Sequence, residues 1–266
     1  MTELQELTAK AKDFPAMFSL KGRSALVVGG NKGLGQAMSL ALAAVGADVC
    51  IAARGPDGLE ETAEAVRQLG RRGMSVAVDV ATEDAVVDLV AKTVDGLGGV
   101  DILVNSQGIS HLEPAAEFDM DKWQRVMDVN VKSMVMTCKH AGRHMLAKKK
   151  GKIINVSSVR GYQGRKADLA YAPSKGAVNQ LTHSLAIEWG SQGVNVNAIA
   201  PSSTRTALSA PLLDDPKTRD WFMSRSPMGR LGAVEDFFGP VVFLASDCSS
   251  FVNGHVLMVD GGWMIA

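Results

Sequence analysis

Seven short apolar runs alternate with helix-like stretches along most of the chain, and this rhythm constrains the fold more than any other feature. The strand-like runs are residues 24–29, 48–53, 74–78, 101–105, 152–157, 194–199 and 255–259. Helix-like stretches include residues 35–45, 58–69, 82–94, 121–148 and 170–189. Such alternation predicts an α/β fold, with a doubly wound parallel sheet of about seven strands and helices on both faces. Several runs are continuously apolar, which is typical of strands covered on both faces.

The length of 266 residues is within the range of one large α/β domain. We predict that residues 1–19 are an N-terminal extension, with a short helix ended by Pro15, and that residues 20–266 form the single domain. The rhythm weakens over residues 202–235, which contain three prolines and isolated aromatic residues. A long insertion of this kind is usually functional or disordered, so we expect it to line a substrate site.

Composition argues against several classes of partner. Lys plus Arg and Asp plus Glu number 28 each, so nothing indicates a nucleic-acid surface. No apolar run approaches the length of a membrane span, and the N-terminus does not resemble a secretory signal. Cys50, Cys138 and Cys248 lack metal-type spacing, so we expect no metal site and idle thiols in a reducing cytoplasm.

A glycine-rich turn follows the first strand and opens a helix. It consists of Gly29, Gly30, Asn31, Lys32, Gly33, Leu34 and Gly35. Glycines allow a tight turn and close backbone approach to a pyrophosphate, and the helix N-terminus offers free N–H groups. A plain strand-to-helix turn is the alternative, but the position after the first strand of an α/β rhythm favours a dinucleotide site.

The end of the second strand indicates which dinucleotide. NAD enzymes usually place a carboxylate there, whereas this strand ends in Ala53 followed by Arg54. The Arg54 guanidinium could pair with a 2′-phosphate, and Lys32 could reach the same group, so we predict NADP(H). The alternative is that both are surface charges. Asp79, followed by Val80, could accept a hydrogen bond from the adenine amino group or cap the next helix.

Tyr171 and Lys175 are four residues apart on a predicted helix and therefore share one face. An ammonium beside a phenol favours the ionised phenol, so we expect the tyrosine pKa to be lowered towards working pH. The pair would suit proton transfer at a carbonyl or an alcohol. A helix-surface pair is the alternative, since this spacing is common by chance.

Together with residues elsewhere, these motifs resemble the short-chain dehydrogenase/reductase family, from about Phe18 to Trp263. The matching positions are the glycine turn, Asn105 to Gly108 in place of Asn-Asn-Ala-Gly, the tetrad Asn130, Ser158, Tyr171 and Lys175, and Pro201, Thr204 and Thr206 near the expected nicotinamide end. The departures are Val28, Ser106, Gln107 and Ser202, where the family usually has Thr, Asn, Ala and Gly. The resemblance implies a single-domain Rossmann fold and places Asn105 and Gly108 among the cofactor contacts.

The resemblance also implies roles for the tetrad. Tyr171 would give a proton to the carbonyl oxygen in reduction and take it in oxidation. Lys175 would lower the tyrosine pKa and bond the nicotinamide ribose, and Ser158 would hold the substrate oxygen. Asn130 would hold a water in a proton relay, with a polar residue at a helix kink as the alternative.

The substrate is less constrained by these motifs. The C-terminal part resembles the sugar-acid group that includes gluconate 5-dehydrogenases. Members of that group often carry paired arginines after the Asn-Asn-Ala-Gly-Ile segment, where this chain has Ser110 and His111. His111 and Arg165 are our candidate substrate contacts, although a solvated loop arginine is an alternative for Arg165.

We therefore predict interconversion of a secondary alcohol and a ketone on a small polar or polyhydroxylated molecule, such as a sugar acid or a ketose. A 3-oxoacyl thioester (acyl-carrier) reductase is one alternative. A non-catalytic cofactor-binding regulator is another, disfavoured because all four tetrad members are present.

The predicted helices at 121–148 and 171–189 carry more apolar residues than one sheet face needs. In relatives these helices pair across a two-fold axis. We therefore predict a homotetramer, with a dimer as the alternative.

Overall fold

Seven parallel strands form one sheet in the computed structural model, which describes residues 2–266 apart from the side chain of Pro211. The strands are β1 (Ser24–Val28), β2 (Asp48–Ala53), β3 (Gly73–Ala77), β4 (Ile102–Asn105), β5 (Gly151–Val156), β6 (Val194–Pro201) and β7 (Val256–Val259). Their order is β3-β2-β1-β4-β5-β6-β7. The chain therefore winds outward from β1 in both directions, and a crevice opens between β1 and β4 at their carboxyl ends. The predicted seven-stranded, doubly wound sheet is confirmed.

Helices cover both faces of this sheet. They are α1 (Glu3–Lys12), α2 (Gly33–Ala44), α3 (Leu59–Gln68), α4 (Glu83–Leu97), α5 (Met120–Met127), α6 (Ser133–Lys148), α7 (Tyr171–Trp189), α8 (Ala210–Leu213), α9 (Pro216–Ser224) and α10 (Phe238–Ala245). One apolar core joins the sheet to α2, α3 and α10, and the other joins it to α4, α6 and α7. Neighbouring β1 residues enter opposite cores, Val27 the first and Leu26 the second. Because both faces are buried, the strands read as continuous apolar runs.

The long helix predicted at 121–148 is two α-helices joined by a π-helical turn at Asp128–Lys132. In this turn the Ser133 N–H bonds to the Asp128 carbonyl, one residue further back than in an α-helix. Asn130 is fully buried there. Such turns often occur at functional sites, and this one lies beside the crevice.

The predicted element bounds shift elsewhere by a few residues. The third strand begins at Gly73 rather than residue 74, and the seventh begins at Val256. The 202–235 segment contains the short helices α8 and α9. Helix α10, eight residues long, was not among the predicted helices.

The extension ahead of the sheet holds α1 and a 3₁₀ turn at Phe14–Phe18. Thr2 caps α1 by accepting a hydrogen bond from the Gln5 N–H, and the helix ends before Pro15 as predicted. Within residues 2–266, no helix combines the length and apolarity required to cross a bilayer.

Candidate active site

A cleft of about 630 Å³ lies at the carboxyl ends of the central strands. Its walls come from the turn after β1, the ends of β2 and β3, the segment after β4, the segment after β5 with the start of α7, and residues 201–209. Ligands bind doubly wound sheets at this edge, where the strand order reverses. Most of the predicted cofactor residues and three of the tetrad therefore meet in one cleft.

The glycine turn is shaped so that only glycine fits at its key positions. Gly29 and Gly33 have φ angles of +76° and +57°. A Cβ at Gly35 would lie 2.1 Å from the Gly29 carbonyl oxygen. Asn31 holds the turn against the loop after β2 by donating to the Asp57 carbonyl at 2.7 Å. With α2 beginning at Gly33, the turn presents backbone N–H groups to the cleft, which fits a pyrophosphate.

Two cations and one carboxylate line the outer part of this cleft. Lys32 and Arg54 both line it, and neither forms an ion pair within residues 2–266. Asp79 lines it beside Val80, and Thr82 rather than Asp79 caps α4. The helix-cap alternative for Asp79 is therefore wrong. The free cations suit a phosphate group at the end of β2.

Some residues at the end of β4 and just after it are buried in the core, and others line the cleft. Asn105 is fully buried, donates to Asn155 Oδ1 at 2.9 Å and accepts from Thr137 Oγ1 at 2.7 Å. Its side chain ties β4 to β5 and does not reach the cleft, contrary to its predicted role as a cofactor contact. Gly108 does line the cleft, as does Gln107. Gln107 Oε1 is buried without a partner among the described residues, an acceptor that fits an amide or hydroxyl of a bound dinucleotide.

The proton-transfer residues lie on two adjoining elements. Ser158 follows β5, and Tyr171 and Lys175 lie in the first turns of α7. Lys175 Nζ donates to the Val156 carbonyl at 2.8 Å and lies 5.6 Å from the centre of the Tyr171 ring. Pro173 is in the first turn of α7, where its missing N–H has no intrahelical partner to lose.

Known proteins are similar to this chain over nearly its whole length. The family profile described as enoyl-(acyl carrier protein) reductase matches residues 28–264. The chain belongs to the short-chain dehydrogenase/reductase family. It is thus an oxidoreductase that acts on CH–OH groups.

Three similar proteins illustrate the family's range near this chain. The 2-dehydro-3-deoxy-D-gluconate 5-dehydrogenase of Bacillus subtilis is 44% identical over 93% of this chain and 96% of its own. The gluconate 5-dehydrogenase of Gluconobacter oxydans is 38% identical over 93% and 97%. The crystal structure of a gluconate 5-dehydrogenase from Burkholderia cenocepacia, in complex with NADP and tartrate, has a TM-score of 0.90 and 36% identity, over 94% of this chain and 98% of that one.

The pKa of Tyr171 departs from the prediction made from its spacing to Lys175. Burial raises the pKa of Tyr171, while its hydrogen bond with Ser158 and the positive charges of Arg165 and Arg160 oppose that rise. Burial also lowers the pKa of Lys175 to about 8. The prediction that Lys175 lowers the pKa of Tyr171 is therefore wrong for this structure. The Lys175 ammonium donates to the Val156 carbonyl instead of the tyrosine hydroxyl.

Asn130, the fourth member of the family tetrad, acts as a clamp in this structure. Its Oδ1 accepts from the Ile109 N–H at 2.8 Å, and its Nδ2 donates to the Ile109 carbonyl and to Ser174 Oγ, both at 2.9 Å. Both amide hydrogens are therefore used in joining the segment after β4 to α7. A water in the predicted proton relay would therefore have to be held by the backbone of the π-helical turn. The relay stays a prediction.

The predicted substrate contacts have partners of their own. His111 Nε2 lies 3.1 Å from Glu113 Oε2. Arg165 donates twice to the Asp168 carboxylate, at 2.8 and 3.2 Å, and Asp168 also accepts from the Ala172 N–H. Neither His111 nor Arg165 lines the cleft among the described residues. Arg165 instead fixes the start of α7.

An arginine–tryptophan cluster beside Ser158 was missed by the sequence analysis. Arg160 lies over the ring of Trp263, and Arg225 lies over both Trp263 and Trp221. The position of Arg160, two residues after Ser158, is the only local pattern that could have indicated the cluster. The other members come from residues 221–225 and from the C-terminus, too distant in sequence for a spacing argument.

The described residues contain no group of three His, Cys, Asp or Glu side chains that could hold a metal ion. Burial raises the pKa of Cys50 to about 11 and that of Cys138 to about 12. Both thiols are therefore unreactive at neutral pH.

Proposed function

We propose that this protein interconverts a secondary alcohol and a ketone on a small sugar acid, with NADP(H) as the hydride carrier. The observation that carries the proposal is the single cleft. It joins a pyrophosphate-shaped glycine turn, two cations without ion pairs among the described residues (Lys32 in that turn and Arg54 after β2) and the Ser158–Tyr171–Lys175 group. A regulator would need the first of these features and would not need the last.

The cofactor assignment rests on the charge at the end of β2. Arg54 and Lys32 lie where a 2′-phosphate would be, and no carboxylate occupies position 53. Asn31 and the glycines would hold the pyrophosphate. Lys175 would bond the nicotinamide ribose, and Pro201, Thr204 and Thr206 line the cleft near that end. Similar proteins crystallised with NADP support this choice.

The chemistry assigned to each side chain follows from its position. When bound, the nicotinamide supplies or accepts the hydride. Ser158 donates a hydrogen bond to the substrate oxygen and holds it beside Tyr171. In reduction the Tyr171 hydroxyl gives its proton to that oxygen, and its raised pKa keeps it protonated at neutral pH. In oxidation the phenolate takes the proton back.

The substrate class rests on the relatives and on charge near the catalytic serine. The Bacillus subtilis and Gluconobacter oxydans proteins are named for sugar-acid substrates. A half-buried arginine two residues after Ser158 suits a substrate with an anionic group. A 3-oxoacyl thioester is the second candidate, kept because the matching family model is described as an enoyl-(acyl carrier protein) reductase, whose substrate is also an acyl thioester although it is reduced at a C=C bond.

A spectrophotometric screen of NADPH oxidation tests the proposal. We expect turnover with 5-keto-D-gluconate or a related keto acid, and at most weak turnover with ketoses, diketones and acetoacetyl thioesters. Preferential turnover of the thioester would replace the sugar-acid assignment. Failure of every carbonyl compound, with NADPH still bound, would leave the regulator as the better hypothesis.

Assembly and localisation also stay proposals. Val135 on α6 and Ile187 on α7 are exposed, Ile187 to 84%. We propose a homotetramer through these helices, with a dimer as the alternative, and a cytoplasmic location. Light scattering that gave the mass of a monomer at working concentration would contradict both assemblies.

A further inference from the structure

Two guanidinium groups are held against one buried indole next to the catalytic serine. Trp263 is 3% exposed, and its Nε1 donates to Gln163 Oε1 at 3.2 Å. The guanidinium carbons of Arg160 and Arg225 lie 5.9 and 5.5 Å from the centre of the Trp263 ring. Arg225 also lies 5.7 Å from the Trp221 ring. Cation–π contact holds both groups in position and leaves their N–H edges available.

This cluster borders the site of proton transfer. The Arg160 N–H donates to Ser158 Oγ at 3.1 Å, and Val159 packs in the same apolar cluster as Trp263. The charge of Arg160 is also one of the influences that oppose the rise in the Tyr171 pKa. Ser158 lines the cleft, whereas Arg160, Arg225 and Trp263 lie just outside its lining, so a molecule whose oxygen is held by Ser158 would extend out of the cleft to reach their positive charge.

The cluster lacks a carboxylate. Arg165 is paired with Asp168, but Arg160 and Arg225 form no ion pair within residues 2–266. Arg160 donates only from Nη1 to the Gly164 carbonyl, at 3.2 Å, and from its backbone. Burial and the like charges of Arg165 and Arg225 lower the pKa of Arg160, and the Asp168 carboxylate only partly opposes them, so the grouping keeps an unfavourable electrostatic cost. An anion bound between the guanidinium groups would remove that cost.

We propose that Arg160 and Arg225 bind the carboxylate of the substrate, with Trp263 as the platform that positions both guanidinium groups. The proposal rests on the proposed function and gives its sugar acid a recognition site. Arginine is the side chain best suited to bidentate recognition of a carboxylate. The pair also accounts for how a chain with Ser110 and His111, and without arginines there, could select an acid over a neutral polyol.

The test compares D-gluconate with D-glucitol, which replaces the carboxylate by a hydroxymethyl group. The enzyme is assayed in the oxidative direction with NADP⁺, as wild type and as Arg160→Gln, Arg225→Gln and Arg219→Gln. Arg219 is the matched control because it is an exposed arginine on the same helix as Trp221. We expect the first two variants to lower kcat/KM for D-gluconate by about tenfold to a hundredfold, mainly through KM, and to leave D-glucitol unchanged.

Two further measurements separate recognition from structure. Quenching of tryptophan fluorescence by D-gluconate should weaken by the same factor in Arg160→Gln and Arg225→Gln. NADPH affinity and the midpoint of urea unfolding should match wild type. Arg225→Lys should recover part of the loss, because it restores the charge without the fork.

The outcomes distinguish the two hypotheses. If wild type prefers D-gluconate but both glutamine variants match Arg219→Gln, the carboxylate site is wrong and the proposed function stands. Equal losses for D-gluconate and D-glucitol would also overturn the site. If wild type turns over D-glucitol as well as D-gluconate, both the sugar-acid preference and the site fail.

Discussion

The two ends of the cleft are built in different ways. At the cofactor end the shape is set by main chain, with glycines that admit no Cβ and a helix that begins at Gly33. Beside the substrate end lies the proposed carboxylate site, which is built from side chains that are far apart in sequence, such as Arg160, Trp221 and Trp263. A site made from backbone geometry tolerates little change, whereas one made from side chains on short helices changes specificity at small cost to the fold. Substitutions at the two ends should therefore differ in how they affect cofactor binding, turnover and stability.

Tyr171→Phe removes the group where the two ends meet, and we expect the largest effect there. Loss of the hydroxyl removes the proton donor in reduction and its acceptor in oxidation, so kcat should fall by about 10²–10⁴. NADPH affinity, measured by fluorescence titration, should stay within about twofold because the cofactor end is untouched. Near-normal turnover in this variant would overturn the assignment of Tyr171.

Gly35→Ala tests the main-chain character of the cofactor end. The added Cβ would lie 2.1 Å from the Gly29 carbonyl oxygen, so the turn must move. We expect the Kd for NADPH to rise by about 10–100-fold, with destabilisation of about 1–3 kcal/mol. Gly239→Ala in α10 is the control, because a Cβ there meets nothing within 4 Å and the residue does not line the cleft. Similar NADPH affinity in both variants would show that the glycine turn does not hold the dinucleotide.

Arg54→Gln separates charge from backbone shape at the same end. If Arg54 pairs with the 2′-phosphate, kcat/KM for NADPH should fall by about tenfold to a hundredfold. NADH lacks that phosphate, so its kcat/KM should change by less than about twofold and acts as the internal control. A wild type that already prefers NADH, or a variant that loses both cofactors equally, would contradict the NADP(H) assignment.

The contrast between the ends also explains what could be predicted from the sequence. The glycine turn, the strands and the Tyr171–Lys175 pair are local patterns, so each is visible in the sequence alone. The Arg160–Trp263 contact spans a hundred residues of chain and leaves no periodicity. The family resemblance placed Asn105 among the cofactor contacts, and its actual partners, Asn155 and Thr137, lie on other elements where no local pattern reveals them.

The predicted lowering of the Tyr171 pKa by Lys175 was wrong for a related reason. Spacing places two side chains on one helix face but does not say where a flexible ammonium goes. Lys175 Nζ donates to the carbonyl of Val156 on a neighbouring strand, and the packing around α7 buries Lys175 almost fully and Tyr171 partly. Burial then acts on each pKa in opposite directions, because it disfavours a phenolate and an ammonium alike.

Lys175→Met gives the smallest expected effect and tests this buried charge through stability rather than rate. The folded-state pKa of Lys175 is lowered to about 8 from an ordinary value of 10.5. The unfolded chain therefore binds more protons between pH 8 and 10.5, and wild-type stability should rise with pH through that window. Below pH 8 the cost of burying the ammonium is fully present, so Lys175→Met should be more stable than wild type at pH 7. After the Val156 carbonyl loses its donor, we expect a net gain of about 1–2 kcal/mol.

Urea unfolding of both proteins at pH 7 and pH 10 measures the difference. The advantage of Lys175→Met should disappear or reverse at pH 10, because the wild-type lysine is neutral in the folded state there and most of the cost of burying the ammonium is gone. An advantage that does not change with pH would mean that packing of the methionine, and not the buried charge, sets the stability. An inactive but more stable variant would identify Lys175 as a residue at which this fold gives up stability for the chemistry of its cleft.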